Sequence, residues 1–283
     1  MINSGQKRLA GTLHKMNPFL KWAGGKRWFV RHYSELFPKE YDRYIEPFLG
    51  GGAVFFHLKP EYAILGDANT DLIDTYRAIK KSWRKVYSAL EIHQKLHSKE
   101  HYYLTRDSGT EDPFMRAARF IYLNRTCWNG LYRVNLKGKF NVPIGTKTKV
   151  IMDDDDFQET SRCLKKAKLL NKDFECLIDQ ANGGDLIFVD PPYTVRHNQN
   201  GFIKYNEKLF SWADQERLFY ALDRASRRGA KIIGTNAYHG CVRELYQDSF
   251  ELSSAVRSSS ISSDLSNRKD FEELIISTEI LNV

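Results

Sequence analysis

The stretch Leu186-Ile187-Phe188-Val189-Asp190-Pro191-Pro192-Tyr193 decides how this chain is read. Its first four residues form an apolar run, the pattern of a buried strand in a parallel sheet. Asp190 then falls at the carboxyl end of a strand, where open α/β sheets bind ligands. The two prolines fix the backbone and remove two N–H donors. The turn keeps carbonyls for which no local donor competes, and an aromatic ring comes next. Two acceptors and a stacking face within four residues suit a flat ring that carries an amino group.

The exocyclic amine of adenine or cytosine is a weak nucleophile, because its lone pair is delocalised into the ring. The Asp190 carboxylate and a proline carbonyl can each accept one of its N–H bonds. Charge-assisted bonds of this kind are the stronger ones. They favour a more tetrahedral nitrogen with an available lone pair. Tyr193 would hold the base by stacking, worth about 1–3 kcal/mol. Asp190, Pro191, Pro192 and Tyr193 are therefore the candidate catalytic residues. The structural alternative is a strand that ends in a rigid turn with an Asp cap.

Outward from this stretch, strands alternate with helices. Arg27–Phe37 reads as a helix ending before Pro38, Arg43–Glu46 as a strand and Gly52–Leu58 as a helix. Tyr62–Gly66 reads as a strand, and Thr70–Leu96 as a helix with its N-cap at Asn69 or Thr70. Later come a helix over Asp214–Arg228, a strand over Ala230–Gly234 and a strand pattern over Phe271–Leu281. This alternation predicts an α/β fold with a parallel, doubly wound sheet. Residues 76–164 read as an insert, with a helix over Asp112–Arg125 and a hairpin at 130–143. The expected division is a flexible leader over 1–15, a catalytic domain over 16–75 and 165–283, and a recognition domain over 76–164. The run Asp153–Asp156 reads as a solvated loop or helix start. The serine-rich stretch Ser253–Ser266 is the only biased segment.

The chain has 283 residues, 42% hydrophobic and 28% charged, enough for a sizeable core. Its net charge of +8 favours a polyanionic partner. Four cysteines without a Cys-x-x-Cys pair argue against a zinc site or a disulfide framework and for free buried thiols in a reducing cytoplasm. No metal is expected. No apolar stretch reaches membrane-spanning length, and the first residues lack the apolar segment of a signal peptide. A monomer is the default.

A second constellation is Glu46-Pro47-Phe48-Leu49-Gly50-Gly51-Gly52, between a strand and a helix. Glycines there admit a ligand close to the backbone. The spacing matches neither a dinucleotide fingerprint nor a P-loop, so no phosphate cradle is indicated. Asp67 ends the next strand, placed for ribose hydroxyls. A nucleoside cofactor without a phosphate cradle points to S-adenosylmethionine. Its sulfonium is positive, which suits the neighbourhood of Asp190 and Glu46.

These residues resemble the Dam-type (D12 class) DNA adenine-N6 methyltransferases. The matching pieces, in the family's order, are Phe19-Leu20-Lys21-Trp22-Ala23-Gly24-Gly25-Lys26, Glu46–Gly52, Tyr122–Arg125 with Asn129–Arg133, Phe140–Pro143 and Asp190–Tyr193. The resemblance implies a Rossmann-like methyltransferase sheet with an inserted helical and β-hairpin DNA-recognition domain. It implies methyl transfer from S-adenosylmethionine to N6 of a flipped adenine in duplex DNA, within GATC. Trp22, Lys26, Asp67 and Asp190 would line the cofactor site, joined by Glu46, Phe48 and Gly50 of the glycine segment. Asp173-Phe174 resembles the segment that packs on the cofactor's adenine.

On the DNA side, Lys21, Leu131, Arg133 and Pro143 fall where family members contact target bases, with Asn129 and Asn135 beside them. Trp128 falls where an aromatic ring fills the gap left by the adenine. A two-stranded ribbon fits the major groove, and arginine to guanine is its commonest specific contact. Arg268 and Lys269 are read as phosphate contacts, and Thr194–Gly201 as a flap over the flipped base, with His197 a surface residue. One departure stands out: Ile144-Gly145-Thr146-Lys147 follows Pro143, where many relatives carry an arginine and an aromatic residue. A methyltransferase for RNA or a protein amide, and a non-catalytic DNA-binding regulator, are the competing readings. The Asp at the first motif position and the basic hairpin argue against a protein substrate, and the intact turn argues against the regulator.

Overall fold

The structure is a computed structural model that describes residues 16–135, 138–195, 210–258 and 270–278. The predicted leader, His197, Arg268 and Lys269 lie outside the described residues. So does most of the predicted flap. Its first residues, Thr194 and Val195, are buried, with the Thr194 hydroxyl donating to the Phe210 carbonyl at 2.6 Å. At its root the segment is core, because the Thr194 hydroxyl is satisfied inside the fold and Val195 is apolar.

Among the described residues seven strands form one sheet: β1 Tyr44–Glu46, β2 Ala63–Gly66, β3 Ala167–Leu170, β4 Leu186–Val189, β5 Lys231–Ala237, β6 Glu251–Ser258 and β7 Asp270–Ser277. Their order is β3-β2-β1-β4-β5-β7-β6. The pairs from β3 through β5 are parallel, and β7 runs antiparallel to both β5 and β6. The expected parallel sheet thus carries one reversed strand. The front part of the serine-rich stretch is strand β6, which composition hid. Strand β3 also went unread, since Ala167 and Leu169 face the core while Lys168 is exposed.

Alternation along the strands builds two cores. Tyr44, Leu186 and Phe188 point into one apolar cluster; Ile45, Ile187 and Val189 point into the other. Both faces are covered, so the β4 sequence is apolar throughout. The first face is covered by α1 Arg27–His32, α2 Ala53–Leu58, α3 Thr70–Leu96, α4 Lys99–Asp107, α5 Pro113–Thr126 and α6 Phe157–Leu164. The second is covered by α7 Phe174–Ile178, α8 Trp212–Arg227 and α9 Gly240–Tyr246. The predicted helix over Arg27–Phe37 is shorter: Tyr33 breaks it at φ −134°, and Ser34–Leu36 forms a 3-10 turn.

Capping explains two of the starts. Asn69 accepts the Leu72 amide at 3.0 Å, and Asp112 accepts those of Phe114 and Met115. α3 bends at Ser82, whose φ and ψ are −160° and 85°. The acidic run divides. Asp156 caps α6, whereas Asp155 is buried against Arg125 with its oxygens 2.6 Å from the guanidinium. Asp155 is therefore not solvated, because burial of Arg125 demands a counter-charge. The cysteines are free, but only Cys127 among them is buried. No helix among the described residues is long and apolar enough to cross a membrane.

Candidate active site

The strand order turns round between β1 and β4, the crevice where open α/β sheets hold ligands. Tyr44 and Ile45 pair with Leu186 and Ile187, so Glu46 and Asp190 leave the sheet at the same edge. Val189 pairs with Gly234, which brings the next residues, Asp190 and Thr235, together. The Thr235 hydroxyl donates to Asp190 Oδ1 at 2.9 Å. Lys26 Nζ lies 2.9 Å from the same oxygen, 3.2 Å from Glu273 Oε2, and donates to the Gly24 carbonyl. Tyr193 Oη donates to Glu273 Oε2 at 2.7 Å, and Lys26 Nζ stands 5.2 Å from the Tyr193 ring centroid.

The cluster is a low-dielectric pocket of charge. Lys26 is 4% exposed and Glu273 8%, while Asp190 keeps 19%. Burial pushes the Asp190 carboxyl above its ordinary value, with the Lys26 ammonium opposing it. Burial also raises the Tyr193 phenol well above the usual range, with Asp190 and Glu273 adding to the effect. Pro191 is buried and Pro192 half-buried beside them.

The glycine segment lies at the end of β1. Gly50 and Gly52 have φ of +47° and +68°, a region that disfavours side chains. Asp67 joins this turn to α3: its Oδ2 accepts the Gly50 amide at 3.0 Å and its Oδ1 the Asn69 amide at 2.9 Å. Each Asp67 oxygen thus accepts one backbone amide and keeps a further lone pair. Glu46 is buried and accepts from Tyr44 Oη at 2.8 Å. Burial raises its carboxyl well above the ordinary range, which weakens it as a fixed negative charge. Trp22 lies against Gly50, where an added Cβ would come within 2.6 Å of its Cδ1. Phe48 stacks on Phe174, with centroids 5.4 Å apart. Asp173 caps α7 and pairs with Arg217 at 2.8 Å.

On the recognition side, Trp128 N donates to the Pro143 carbonyl at 2.9 Å and Cys127 bridges Ile144. Beyond this root the hairpin is thin. Among the described residues it has one bridge, Val134 with Phe140, and backbone bonds from Asn135 to Lys139, from Gly138 to Asn135 and from Asn141 to Arg133. Trp128 and Leu131 are 52% and 42% exposed. Arg133, Asn135 and Pro143 are also exposed, and Arg133 Nε donates to Asn141 Oδ1 at 3.0 Å. Asn129 takes the left-handed conformation at φ 56°. Lys21 packs under Gly130, and burial with the nearby Lys147 lowers its ammonium pKa.

Three residues that sequence reasoning did not select complete the arrangement: Thr235, Glu273 and Asn124. Asn124 accepts the Lys21 amide at 2.9 Å and donates to its carbonyl at 2.8 Å, tying the Lys21 loop to α5. No local motif marks Thr235 or Glu273, because strand register alone brings them to Asp190. Asn124 stood inside a quoted motif, and its signal was a fully buried amide in an apolar helix.

A doubly wound sheet of seven strands with β7 reversed, bearing an acidic Pro-Pro-Tyr corner at its switch point, defines a methyltransferase-type α/β enzyme. The model of the D12 class N6 adenine-specific DNA methyltransferases matches residues 22–261, and the chain belongs to that family. It is similar to the type II methyltransferase M1.LlaDCHI of Lactococcus lactis subsp. cremoris, at 37% identity over 82% of this chain and 85% of the relative. It is similar to the type II methyltransferase M.MjaIII of Methanocaldococcus jannaschii, at 35% identity over 93% and 99%. The DNA adenine methylase of Escherichia coli K12 is 32% identical over 93% and 95%. The chain is accordingly an adenine-specific DNA methyltransferase.

Proposed function

We propose that this enzyme takes its methyl group from S-adenosylmethionine and delivers it to N6 of an adenine turned out of a GATC duplex. The observation that carries the reading is the Asp190–Tyr193 corner at the sheet's switch point, beside the glycine turn. The cradle suits a nucleoside cofactor. Gly50 leaves room at Trp22 that a Cβ would take, and Phe48 and Phe174 offer apolar faces nearby. The carboxylates of Asp190 and Asp67 suit a cationic ligand. Trp22, Glu46, Phe48, Gly50, Asp67, Asp173 and Phe174 would hold it, and when bound it supplies an electrophilic methyl group.

The chain's own residues then bind and orient. Asp190 and the Pro191 carbonyl accept the two hydrogens of the adenine amine, and Tyr193 stacks on its ring. Lys26 releases part of its hold on Asp190 as the amine arrives, and Glu273 keeps its counter-charge close. No covalent intermediate with the protein is required, so rate comes from alignment and electrostatics. Extrusion of the base costs a few kcal/mol, which Trp128 offsets by filling the gap. Arg133, Asn135, Leu131, Pro143, Lys21 and Asn129 read the site, on a recognition part that spans 76–164. The enzyme acts in the cytoplasm as a monomer.

Purified protein with labelled S-adenosylmethionine should transfer label to a GATC duplex. Asp190→Ala should abolish transfer while leaving duplex binding within about threefold. Mapping N6-methyladenine in the DNA of cells that express the chain reports the recognition sequence. Methylation at a different sequence removes the GATC assignment, and no transfer to any duplex by folded protein removes the whole reading.

A further inference from the structure

Tyr132 lies between Leu131 and Arg133, the two hairpin residues assigned to bases, yet it takes part in neither assignment. Its ring is turned inward and stacks on Trp22, with centroids 5.6 Å apart and planes 22° apart. Phe120 of α5 and Phe140 of the opposite hairpin arm lie 5.0 and 5.8 Å from it. Its hydroxyl donates to Asp71 Oδ2 at 3.0 Å in the first turn of α3. The same Trp22 indole touches Gly50 of the glycine turn. That turn reaches α3 a second way, through Asp67 and the cap residue Asn69. Tyr132 thus closes a loop of contacts from the cradle to the hairpin root.

We infer that Tyr132 is the positioning residue that couples the cofactor cradle to the recognition hairpin, so that cofactor and duplex each favour binding of the other. The inference rests on the function proposed above. The ring contacts of Tyr132 with Trp22, Phe120 and Phe140 and its hydroxyl bond to Asp71 fix the direction in which the hairpin leaves its root. A ligand seated against Trp22 restricts the indole, and the stacked Tyr132 ring carries that restriction to the hairpin. The second ligand then meets a protein that is already ordered, which is positive cooperativity. The coupling is reciprocal.

Equilibrium binding without turnover tests this. The probes are S-adenosylhomocysteine and a 20-base-pair duplex with one GATC, titrated singly and together. In the wild type each ligand should tighten the other by about tenfold, the same factor in both directions. Tyr132→Leu should lower that factor to within about twofold of unity, with each ligand alone bound within about threefold of wild type. Tyr132→Phe keeps the stack and should retain most of the coupling. Undiminished coupling in Tyr132→Leu overturns the inference, and so does its loss in Tyr132→Phe. A wild type that binds both ligands without mutual effect overturns the coupling alone. One that binds duplex but not S-adenosylhomocysteine overturns the proposed function with it.

Discussion

Tyr193 donates its phenolic hydrogen to Glu273 at 2.7 Å, and that bond ties the reversed strand β7 to a turn 80 residues upstream. Glu273 also faces the Lys26 ammonium at 3.2 Å, so one carboxylate holds both the Tyr193 phenol and the cation paired with Asp190. Glu273 pairs in register with Ala237 of β5, close to Thr235. The antiparallel end of the sheet therefore holds Tyr193 and Lys26 beside Asp190 at its parallel centre.

Replacement of Glu273 should misplace Tyr193 more than it weakens DNA binding. Glu273→Ala is expected to lower single-turnover methyl transfer by up to about 100-fold, the loss that a misplacement of about 1 Å can cause. Duplex affinity should stay within about threefold. Glu273→Gln, which keeps an acceptor for Tyr193, should recover part of the rate. Rapid-quench transfer and anisotropy titration on the same variants check both halves, and an unchanged rate in Glu273→Ala denies Glu273 this role.

The rate should fall in acid through Asp190. In the proposed mechanism transfer requires its carboxylate, which burial makes easier to protonate than an ordinary aspartate. Activity is therefore full above the raised pKa and lost as pH drops through it. The Lys26 ammonium opposes this rise, so its removal moves the acid limb to still higher pH. Single-turnover profiles of the wild type and Lys26→Met at saturating cofactor test the sign. A limb that moves to lower pH in Lys26→Met contradicts it.

Asp155→Ala should be among the most destabilising single changes outside the active site. It would leave the Arg125 guanidinium, 2% exposed, without its buried counter-charge. Loss of one partner from such a pair costs about 3–5 kcal/mol. Equilibrium denaturation gives the value directly. A loss below about 1 kcal/mol means that the Phe19 and Val150 carbonyls, which Arg125 also reaches, suffice to hold it.

His93 should make the helical part acid-sensitive. Its ring stacks on Tyr122 at 4.6 Å and its Nδ1 lies 2.9 Å from His101 Nε2. Burial, then His101 and Arg119, push its pKa from 6.5 down to about 4. Between those values the unfolded chain binds more protons than the fold, so stability rises with pH across the window and falls as the solution is acidified. The loss from pH 7 to pH 4 is expected to be about 3 kcal/mol. Denaturant midpoints along the series measure it, and in His93→Gln the slope should shrink.

Much of the scaffold was legible because it is written locally. An uninterrupted apolar run reports burial on both faces, and Leu186–Val189 is strand β4. Asn69 and Asp112 mark helix starts because a cap binds amides only two or three residues away. The glycines before α2 carry the positive φ that their turn needs. Where local pattern is weak, reading failed: β3 is short with a lysine in it, and β6 looks like a serine-rich loop.

By itself the sequence determined where the strands turn, which corner bears the carboxylate and the aromatic ring, and that the chain resembles adenine methyltransferases. Only the tertiary structure decided what surrounds that corner. Sheet order and register carried Thr235 and Glu273 to Asp190, turned Asp155 inward onto Arg125, and set Tyr132 on Trp22. The physical reason is range. Caps and turns are settled by neighbours in the chain, but the partner of a buried charge or ring is settled by which strands and helices pack side by side.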